Sequence, residues 1–343
     1  MAKKSAKSPK KFVDSEIGTI HKDIGGCIKV AIGYPNRYHV AMSNLGFQST
    51  YQLLNDIDQV ACERFFLPEN EQQATGRIAT IESGRPIAGF DIIAFSVSFE
   101  NDYPNILTLL EKAGLPLQSN DRGTPHPLVI AGGVACFLNP EPISPYIDLF
   151  LIGEAKEMLF GFLDFFEPGV NKKSYLKVVA QNVQGAYVPA FYHPSYHNDG
   201  TIASINTVCD VPEKIIRPFV KDLSGESTFS TIITPDTTFD STFLIEVGRG
   251  CTHGCRFCSA GFIYRPPRFR PIELLRENIK QGTQITNKIG LVGAAVSDLP
   301  GIEGLCKQAL TEDIKISFSS LRADALTPEL LSILSKSKMQ TAT

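Results

Sequence analysis

The sequence of 343 residues lacks both a hydrophobic run of membrane-spanning length and a large net charge. Its longest apolar stretch, Leu128 to Leu138, is far short of the ~20 residues that a transmembrane helix needs. The net charge is only −3, so bulk electrostatics indicates neither a nucleic-acid partner nor a membrane surface. No apolar core follows the basic start of the chain, so we expect a disordered tail over residues 1–15 and no secretory signal.

The eight cysteines contain no two close pairs of the kind that bind zinc, and their spacing is too irregular for a disulfide framework. Three of them stand in the run Gly248-Arg-Gly-Cys-Thr-His-Gly-Cys-Arg-Phe-Cys258. Three thiols on one short loop can hold three corners of a four-iron, four-sulfur (4Fe-4S) cluster and leave one iron open to a small molecule. The alternative is a structural zinc site with His253 or Cys306 as fourth ligand. Thiolates that bind iron need a reducing compartment, so we expect a cytoplasmic location.

The cysteines follow an apolar run of strand length, Phe243 to Val247, and precede a helical pattern from Pro271 to Gln281. Two more strands are predicted, followed by helices; the four segments are Ile289–Val292, Gly301–Leu310, Ile314–Phe318 and Thr327–Lys336. In parallel α/β barrels, functional groups gather on the loops that follow strands. At roughly 30 residues per βα unit, the segment holds the first part of a partial (β/α) barrel. We therefore expect a C-terminally truncated chain.

The region before the cysteines alternates near-continuous apolar strands with helices, a pattern typical of a doubly wound, Rossmann-like parallel sheet covered on both faces. The predicted strands are Cys27–Gly33, Asp91–Ser98, Pro127–Gly133 and Asp148–Gly153, with helices over Gly46–Asn55 and Asn105–Ala113. Asn198-Asp-Gly200 between two short β patterns predicts a hairpin. The predicted domains are a tail over 1–15, an α/β domain over 16–190, a β excursion and linker over 191–238, and the partial barrel over 239–343.

The pattern Cys251-x3-Cys255-x2-Cys258, with Phe257 before the last cysteine, resembles the signature of the radical S-adenosylmethionine (SAM) enzymes. In that family the open iron of the cluster chelates the amino and carboxylate groups of SAM, and the reduced cluster splits the sulfonium. The resemblance implies a 4Fe-4S cluster, SAM, and a small electron donor such as a flavodoxin or ferredoxin.

The same resemblance implies contacts between SAM and four residues, namely Phe257 near the adenine, Gly293, Ser319 and Arg322. The family often has Gly-Gly-Glu after its second strand, whereas Gly293-Ala-Ala295 stands here, so we expect backbone contacts from Gly293 and Ala294 and a polar one from Asp298. For Arg322 the alternative is a surface salt bridge. The basic loop Tyr264–Arg270 steers an anionic substrate or a reductant, or is simply a solvated loop.

Three segments resemble the cobalamin-binding-like domain that precedes the radical domain in one branch of this superfamily: Met42–Gly46, Gly132–Ala135 and Gly153–Glu157. The resemblance implies cobalamin contacts at Ser96, Gly132, Gly133, Gly153 and Glu154, and ordinary turns at strand ends are the alternative. No histidine lies in an Asp-x-His-x-x-Gly motif, so a histidine-ligated cobalamin is not expected. The leading hypothesis is a radical SAM enzyme, with cobalamin-linked methyl transfer as one reaction; the alternative is a non-catalytic iron–sulfur or zinc-binding fragment of a longer enzyme.

Overall fold

The computed structural model describes residues 9–69 and 76–337. The strands are β1 (Ile28–Arg37), β2 (Val60–Leu67), β3 (Ile92–Ser96), β4 (Leu128–Gly132), β5 (Leu149–Leu151), β6 (Ala186–Tyr187), β7 (Tyr192–Tyr196), β8 (Ile202–Thr207), β9 (Phe243–Glu246), β10 (Gly248–Arg249), β11 (Arg268–Phe269), β12 (Lys288–Val292) and β13 (Lys315–Phe318). The α-helices are α1 (Pro9–Val13), α2 (Tyr38–Ala41), α3 (Leu45–Asn55), α4 (Tyr103–Lys112), α5 (Val134–Leu138), α6 (Ala155–Asp164), α7 (Lys172–Asn182), α8 (Ala260–Ile263), α9 (Ile272–Thr283), α10 (Ile302–Thr311) and α11 (Pro328–Lys336). Within these described ranges, no helix is long and apolar enough to cross a bilayer.

Residues 1–8, most of the predicted tail, lie outside the described residues. Pro9–Val13, from the remainder of that segment, forms the short helix α1. The Phe12 ring of this helix stacks on Tyr38, with 4.0 Å between ring centroids.

The first sheet has six strands in the order β2-β1-β3-β4-β5-β6, all parallel except β6, which pairs antiparallel with β5. Its central strands are apolar and buried along most of their length, as in β4, because helices cover them. The helix α4 buries Ile106, Leu109 and Leu110 in the same core. The predicted α/β class with a parallel sheet is confirmed.

The edge strand β2 was not predicted, because Glu63 and Arg64 interrupt its apolar pattern. The Arg64 side chain is fully buried, and its Nε donates to Glu82 Oε1 at 2.6 Å. The outward backbone groups of the strand are occupied as well. Asn55 bonds the N–H and C=O of Cys62 through its amide, while the Arg64 N–H donates to Glu82 and the Arg64 C=O accepts from the Ile81 N–H.

The predicted hairpin around Asn198-Asp-Gly200 is confirmed by the antiparallel pair β7 and β8. Nearly all of its residues are exposed, including Tyr196, Ile202 and Ile205.

The second sheet has three parallel strands in the order β13-β12-β9, and α9, α10 and α11 pack on it around a separate apolar core. This arrangement confirms the three predicted βα units and the partial (β/α) barrel. A short antiparallel pair, β10 with β11, lies just beyond the carboxyl end of β9.

The chain divides into two compact units, and neither is a continuous stretch of sequence. The first comprises Met1–Ser15, Thr19–Ala41 and Thr50–Val220; the second comprises Glu16–Gly18, Met42–Ser49 and Lys221–Thr343. Within the second unit, Gln48 is buried and its Oε1 accepts from the N–H groups of Thr231 and Ile232, each at 3.1 Å. The first residues of α3 therefore stabilise a segment about 180 residues further along the chain.

Candidate functional site

The three clustered cysteines lie on the loop between β10 and α8, at the carboxyl end of β9. Cys255 is exposed, and Cys251 and Cys258 are partly exposed. The Cys258 N–H donates to the Cys255 carbonyl at 3.1 Å, which makes a tight turn of the last part of the loop. The loop begins here because the buried strand β9 ends at Glu246, and Gly248 and Gly250 follow within four residues.

The chemistry of the donor set fits a metal–sulfur cluster. None of the eight cysteines, all of which lie in the described residues, forms a disulfide. In the part of the chain that the structure describes, no three His, Cys, Asp or Glu side chains are grouped so as to hold a metal ion. The structure thus brings the three thiols onto one accessible loop without gathering them at one point, and a bound cluster would draw them together.

Both residues considered as a fourth zinc ligand are engaged elsewhere. Cys306 is buried in the core of the second unit, and this burial raises the pKa of its thiol to about 12. The His253 ring lies 2.9 Å from Asp298 through Nε2. The site therefore offers three accessible thiols, as a cluster with one open iron requires.

Two glycines fix the path of the cysteine loop. Gly250 has φ +83°, and a Cβ there would clash with the Tyr264 carbonyl oxygen. A Cβ on Gly261, in α8, would clash with the carbonyl oxygen of His253. The segment that leads from Cys251 to Gly254 is therefore packed closely against the chain that follows the last cysteine.

A buried ionic cluster supports the start of the loop. Glu246, the last residue of β9, accepts from Arg249 Nε at 3.1 Å and from Arg270 Nη2 at 2.5 Å. Arg270 is almost fully buried, and its backbone N–H donates to the Val247 carbonyl. Arg268 is buried as well. Of the three arginines in the basic loop Tyr264–Arg270, only Arg265 is exposed, so any steering of an anion by this loop falls to Arg265.

The ends of β12 and β13 are joined through side-chain hydroxyls. Ser319 Oγ accepts from the Gly293 N–H at 3.0 Å and donates to the Gly293 carbonyl at 2.9 Å. The Arg322 N–H donates to Ser297 Oγ at 3.0 Å. The polar groups of Gly293 and Ser319 that were predicted to contact SAM are bonded to each other here.

Asp298 connects these strand ends to the cysteine loop. Its Oδ2 accepts from Thr252 Oγ1 at 3.3 Å and lies 2.9 Å from His253 Nε2, while its Oδ1 accepts from Arg322 Nη1 at 3.0 Å. Burial by itself raises the pKa of Asp298, but the hydrogen bonds from Arg322 and His253 outweigh burial and the pKa is lowered overall. Arg322 also pairs with Asp324, so the salt-bridge alternative describes its contacts in this structure.

Phe257 lies between the second and third cysteines and is 93% exposed. A phenyl ring in water is unfavourable by about 1.5–3 kcal/mol relative to a buried one. Phe262, in α8, is also exposed, and the guanidinium of Arg265 lies 4.7 Å from the centre of its ring. The loop therefore carries aromatic surface beside its thiols.

The positions predicted for cobalamin lie at the carboxyl ends of strands in the first unit and make close contacts within the chain. Ser96 and Gly132 are paired neighbours in β3 and β4, and a Cβ on Gly133 would clash with the Val97 carbonyl oxygen. A Cβ on Gly153 would lie 2.6 Å from Pro218 Cδ. Glu154 is buried, and its Oε2 accepts from the Val220 N–H at 3.1 Å. The glycines at 133 and 153 thus allow close packing between backbone segments, and cobalamin binding at these positions stays a prediction.

Sequence reasoning missed the residues at the point where the strand order of the first sheet reverses, between β1 and β3, which is where such sheets bind ligands. Asp102 is 4% exposed there, and Asn36 Nδ2 donates to its Oδ1 at 2.8 Å. Among the described residues its Oδ2 has no hydrogen-bond partner, and burial raises the pKa of its carboxyl group. Asn36 and Asp102 are 66 residues apart in the sequence, and no local pattern joins them.

Comparisons with known families match both units. A family described as radical SAM proteins, N-terminal, matches residues 46–189, and the radical SAM superfamily matches residues 245–342. Both stretches of the chain are therefore similar to radical SAM domains. The second radical SAM match includes the three cysteines, the strands β12 and β13, and the last two residues of β9.

An uncharacterized protein from Methanocaldococcus jannaschii is 28% identical to the chain over 312 residues. The aligned region is 89% of this chain and 58% of the relative. The chain therefore spans less than two thirds of the length of this curated relative. Proteins of the radical SAM superfamily bind a 4Fe-4S cluster and SAM in general, and the cysteine loop lies within the stretch of this chain that is similar to them.

Proposed function

We propose that this chain binds a 4Fe-4S cluster through Cys251, Cys255 and Cys258 and takes part in radical-initiated chemistry with SAM. The observation that carries the proposal is the set of three accessible thiols on one strand-to-helix loop, with the next cysteine, Cys306, buried and protonated. Three thiolates leave one iron of a cuboidal cluster for SAM. When bound and reduced, such a cluster supplies the electron that splits the sulfonium of SAM into methionine and a 5′-deoxyadenosyl radical.

The residues of the chain have distinct parts in this proposal. The three thiolates hold the cluster, and Phe257, exposed between two of them, covers the adenine and excludes water from it. SAM meets Gly293 at the end of β12 through van der Waals contact in this proposal, since the N–H and carbonyl of Gly293 are bonded to Ser319. Ser319 and Arg322 act by holding this strand end in place, since their polar groups are bonded to Gly293 and Asp298.

We further propose that a small acidic electron donor, such as a flavodoxin or ferredoxin, approaches the face that carries the cysteine loop. Arg256 and Arg265 are exposed there beside Phe257 and Phe262. Positive charge next to aromatic surface favours encounter with an acidic partner. Cobalamin-linked methyl transfer stays a prediction for the first unit, since the close packing at Gly133 and Gly153 does not test cobalamin binding.

The test is anaerobic reconstitution with iron and sulfide, followed by iron analysis and low-temperature electron paramagnetic resonance of the reduced protein with and without SAM. We expect about four irons per chain and a signal that changes when SAM is added. Cys255→Ser should lose most of the iron, since a hydroxyl replaces one thiolate. Cys209→Ser is the matched control, because Cys209 is also partly exposed but lies outside the loop.

Equal iron retention in both variants would contradict the assignment of the ligands. A cluster signal that SAM leaves unchanged would favour the second candidate, a non-catalytic iron–sulfur protein. Stoichiometric zinc in the isolated protein, with no cluster after reconstitution, would refute the iron–sulfur proposal altogether.

A further inference from the structure

The cysteine loop is held at one end and open at the other. Side chains of Thr252 and His253 contact Asp298, and the backbone of His253 packs against Gly261. By contrast, Cys255, Arg256 and Phe257 are all exposed. The segment between the first and second cysteines is therefore anchored to Asp298 and Gly261, whereas the segment between the second and third is held only within the loop, by the bond from the Cys258 N–H to the Cys255 carbonyl.

The contact on the strand side is built from several elements. Asp298 follows β12 in a short 3-10 turn, Val296–Asp298, and the Val296 N–H donates to the Ser320 carbonyl beyond β13 at 3.0 Å. Arg322 is held at its backbone by Ser297 and at its guanidinium by Asp298. A carboxylate whose two oxygens accept from side chains on two different segments joins those segments more strongly than neutral hydrogen bonds would.

We propose that Asp298 is a positioning residue that holds the first half of the cysteine loop against the ends of β12 and β13, so that Cys251 is preset and Cys255 and Cys258 close onto the metal. This inference rests on the proposed function for its metal, but the contact itself exists without one. Asp298 touches neither thiol nor cofactor in this proposal. It acts through Thr252 and His253 on one side and Arg322 on the other.

The chain offers a matched pair of variants. Asp298→Asn keeps the shape of the side chain but removes its charge, and Asn cannot accept at both positions. Asp324→Asn removes the other carboxylate that pairs with Arg322 and leaves the loop contact intact, since Asp324 is bonded to Arg322 and not to Thr252 or His253. Arg322→Lys keeps a positive charge with a single ammonium in place of the planar fork, and should give an intermediate effect.

The first readout is hydrogen exchange in the metal-free full chain. We expect exchange at the hydrogen-bonded amides of Val296 and Arg322 to be about tenfold faster in Asp298→Asn than in Asp324→Asn, because loss of a charge-assisted hydrogen bond lowers the cost of local opening. Exchange in β4 serves as an internal reference for intact folding. The second readout is the rate at which a chelator removes iron from the reconstituted protein, which should rise in the same variant.

Equal exchange at Val296 and Arg322 in Asp298→Asn and Asp324→Asn would overturn the inference, whether or not the wild-type protein binds iron. Faster exchange in Asp298→Asn together with unchanged iron loss would overturn the positioning role and leave only a structural contact. If the exchange difference is found but the wild-type chain holds no iron, the contact is upheld and the proposed function fails. The two proposals are thus separately refutable.

Discussion

Asp102 is a single residue whose surroundings differ from those of an ordinary aspartate. It is buried at the carboxyl edge of the first sheet, and in the described ranges only one of its oxygens is hydrogen-bonded. Burial raises the pKa of this carboxyl group above its usual value of 3.8. A buried oxygen without a partner costs more when it carries charge.

Asp102→Asn is therefore expected to raise stability at pH 7 by about 1 kcal/mol. Because the pKa of the folded state is raised, the wild type is most stable, relative to this variant, below pH 3.8, and loses that stability as the pH rises through the folded pKa. The gain should therefore shrink toward acidic pH. Urea unfolding at several pH values measures it, with the exposed Asp121→Asn as the control. A gain that grows toward low pH would refute the argument.

Individual site residues were predictable only where the signal is local. The spacing of Cys251, Cys255 and Cys258 is contained in eight residues, so the sequence alone identifies the loop. The partner of Arg322 could not be found in this way, because Asp298 is brought to it by the packing of β13 beside β12. The contact between His253 and Asp298 could not be predicted for the same reason, since the two residues are 45 positions apart in the sequence.

At the scale of elements, strands with uninterrupted apolar runs were predicted and charged ones were missed. The strands β1, β3, β4 and β5 correspond to predicted segments, and so do β9, β12 and β13 of the second sheet. β2 was missed because Arg64 lies in its middle. The burial of Arg64 depends on Glu82, which comes later in the chain. Because the partner of Arg64 is not a sequence neighbour, the sequence around Arg64 indicates a surface strand or a loop.

Arg64→Met is expected to destabilise the first unit by about 3–5 kcal/mol. The substitution removes the cation that compensates buried Glu82 and that lies 4.8 Å from the Tyr51 ring. Urea unfolding monitored by tyrosine fluorescence gives the difference. The double variant Arg64→Met/Glu82→Gln should recover a large part of the loss, since no uncompensated charge then remains. Equal losses in the single and double variants would contradict this account.

At the scale of the whole molecule, the two compact units are interleaved in sequence. Glu16–Gly18 and Met42–Ser49 belong to the second unit although both precede most of the first. A reading of the sequence in order cannot reveal this, because neither segment has a composition that sets it apart. The evidence is tertiary: Gln48 accepts from the N–H groups of Thr231 and Ile232, and Ile17 pairs with Ile233 in an antiparallel bridge.

Gln48→Met should leave the Thr231 and Ile232 amides without their acceptor and speed their hydrogen exchange by about tenfold. The same side chain also donates to the Met42 carbonyl at 2.7 Å, so this buried group loses its partner as well. Gln52→Met is the control, because Gln52 lies in the same helix and bonds only within it, to Asp56. Unaltered exchange at Thr231 and Ile232 would count against the role assigned to Gln48.

The occupied backbone of β2 has a consequence for how this protein meets other chains. A terminal strand with unpaired amide and carbonyl groups is a template for strand addition and aggregation. At Cys62 and Arg64, both backbone groups already bond to Asn55, Glu82 or Ile81. At the opposite margin of the sheet, β6 has only two residues and runs antiparallel to its neighbour. Both edges of the sheet are thus poorly suited to strand addition by another polypeptide.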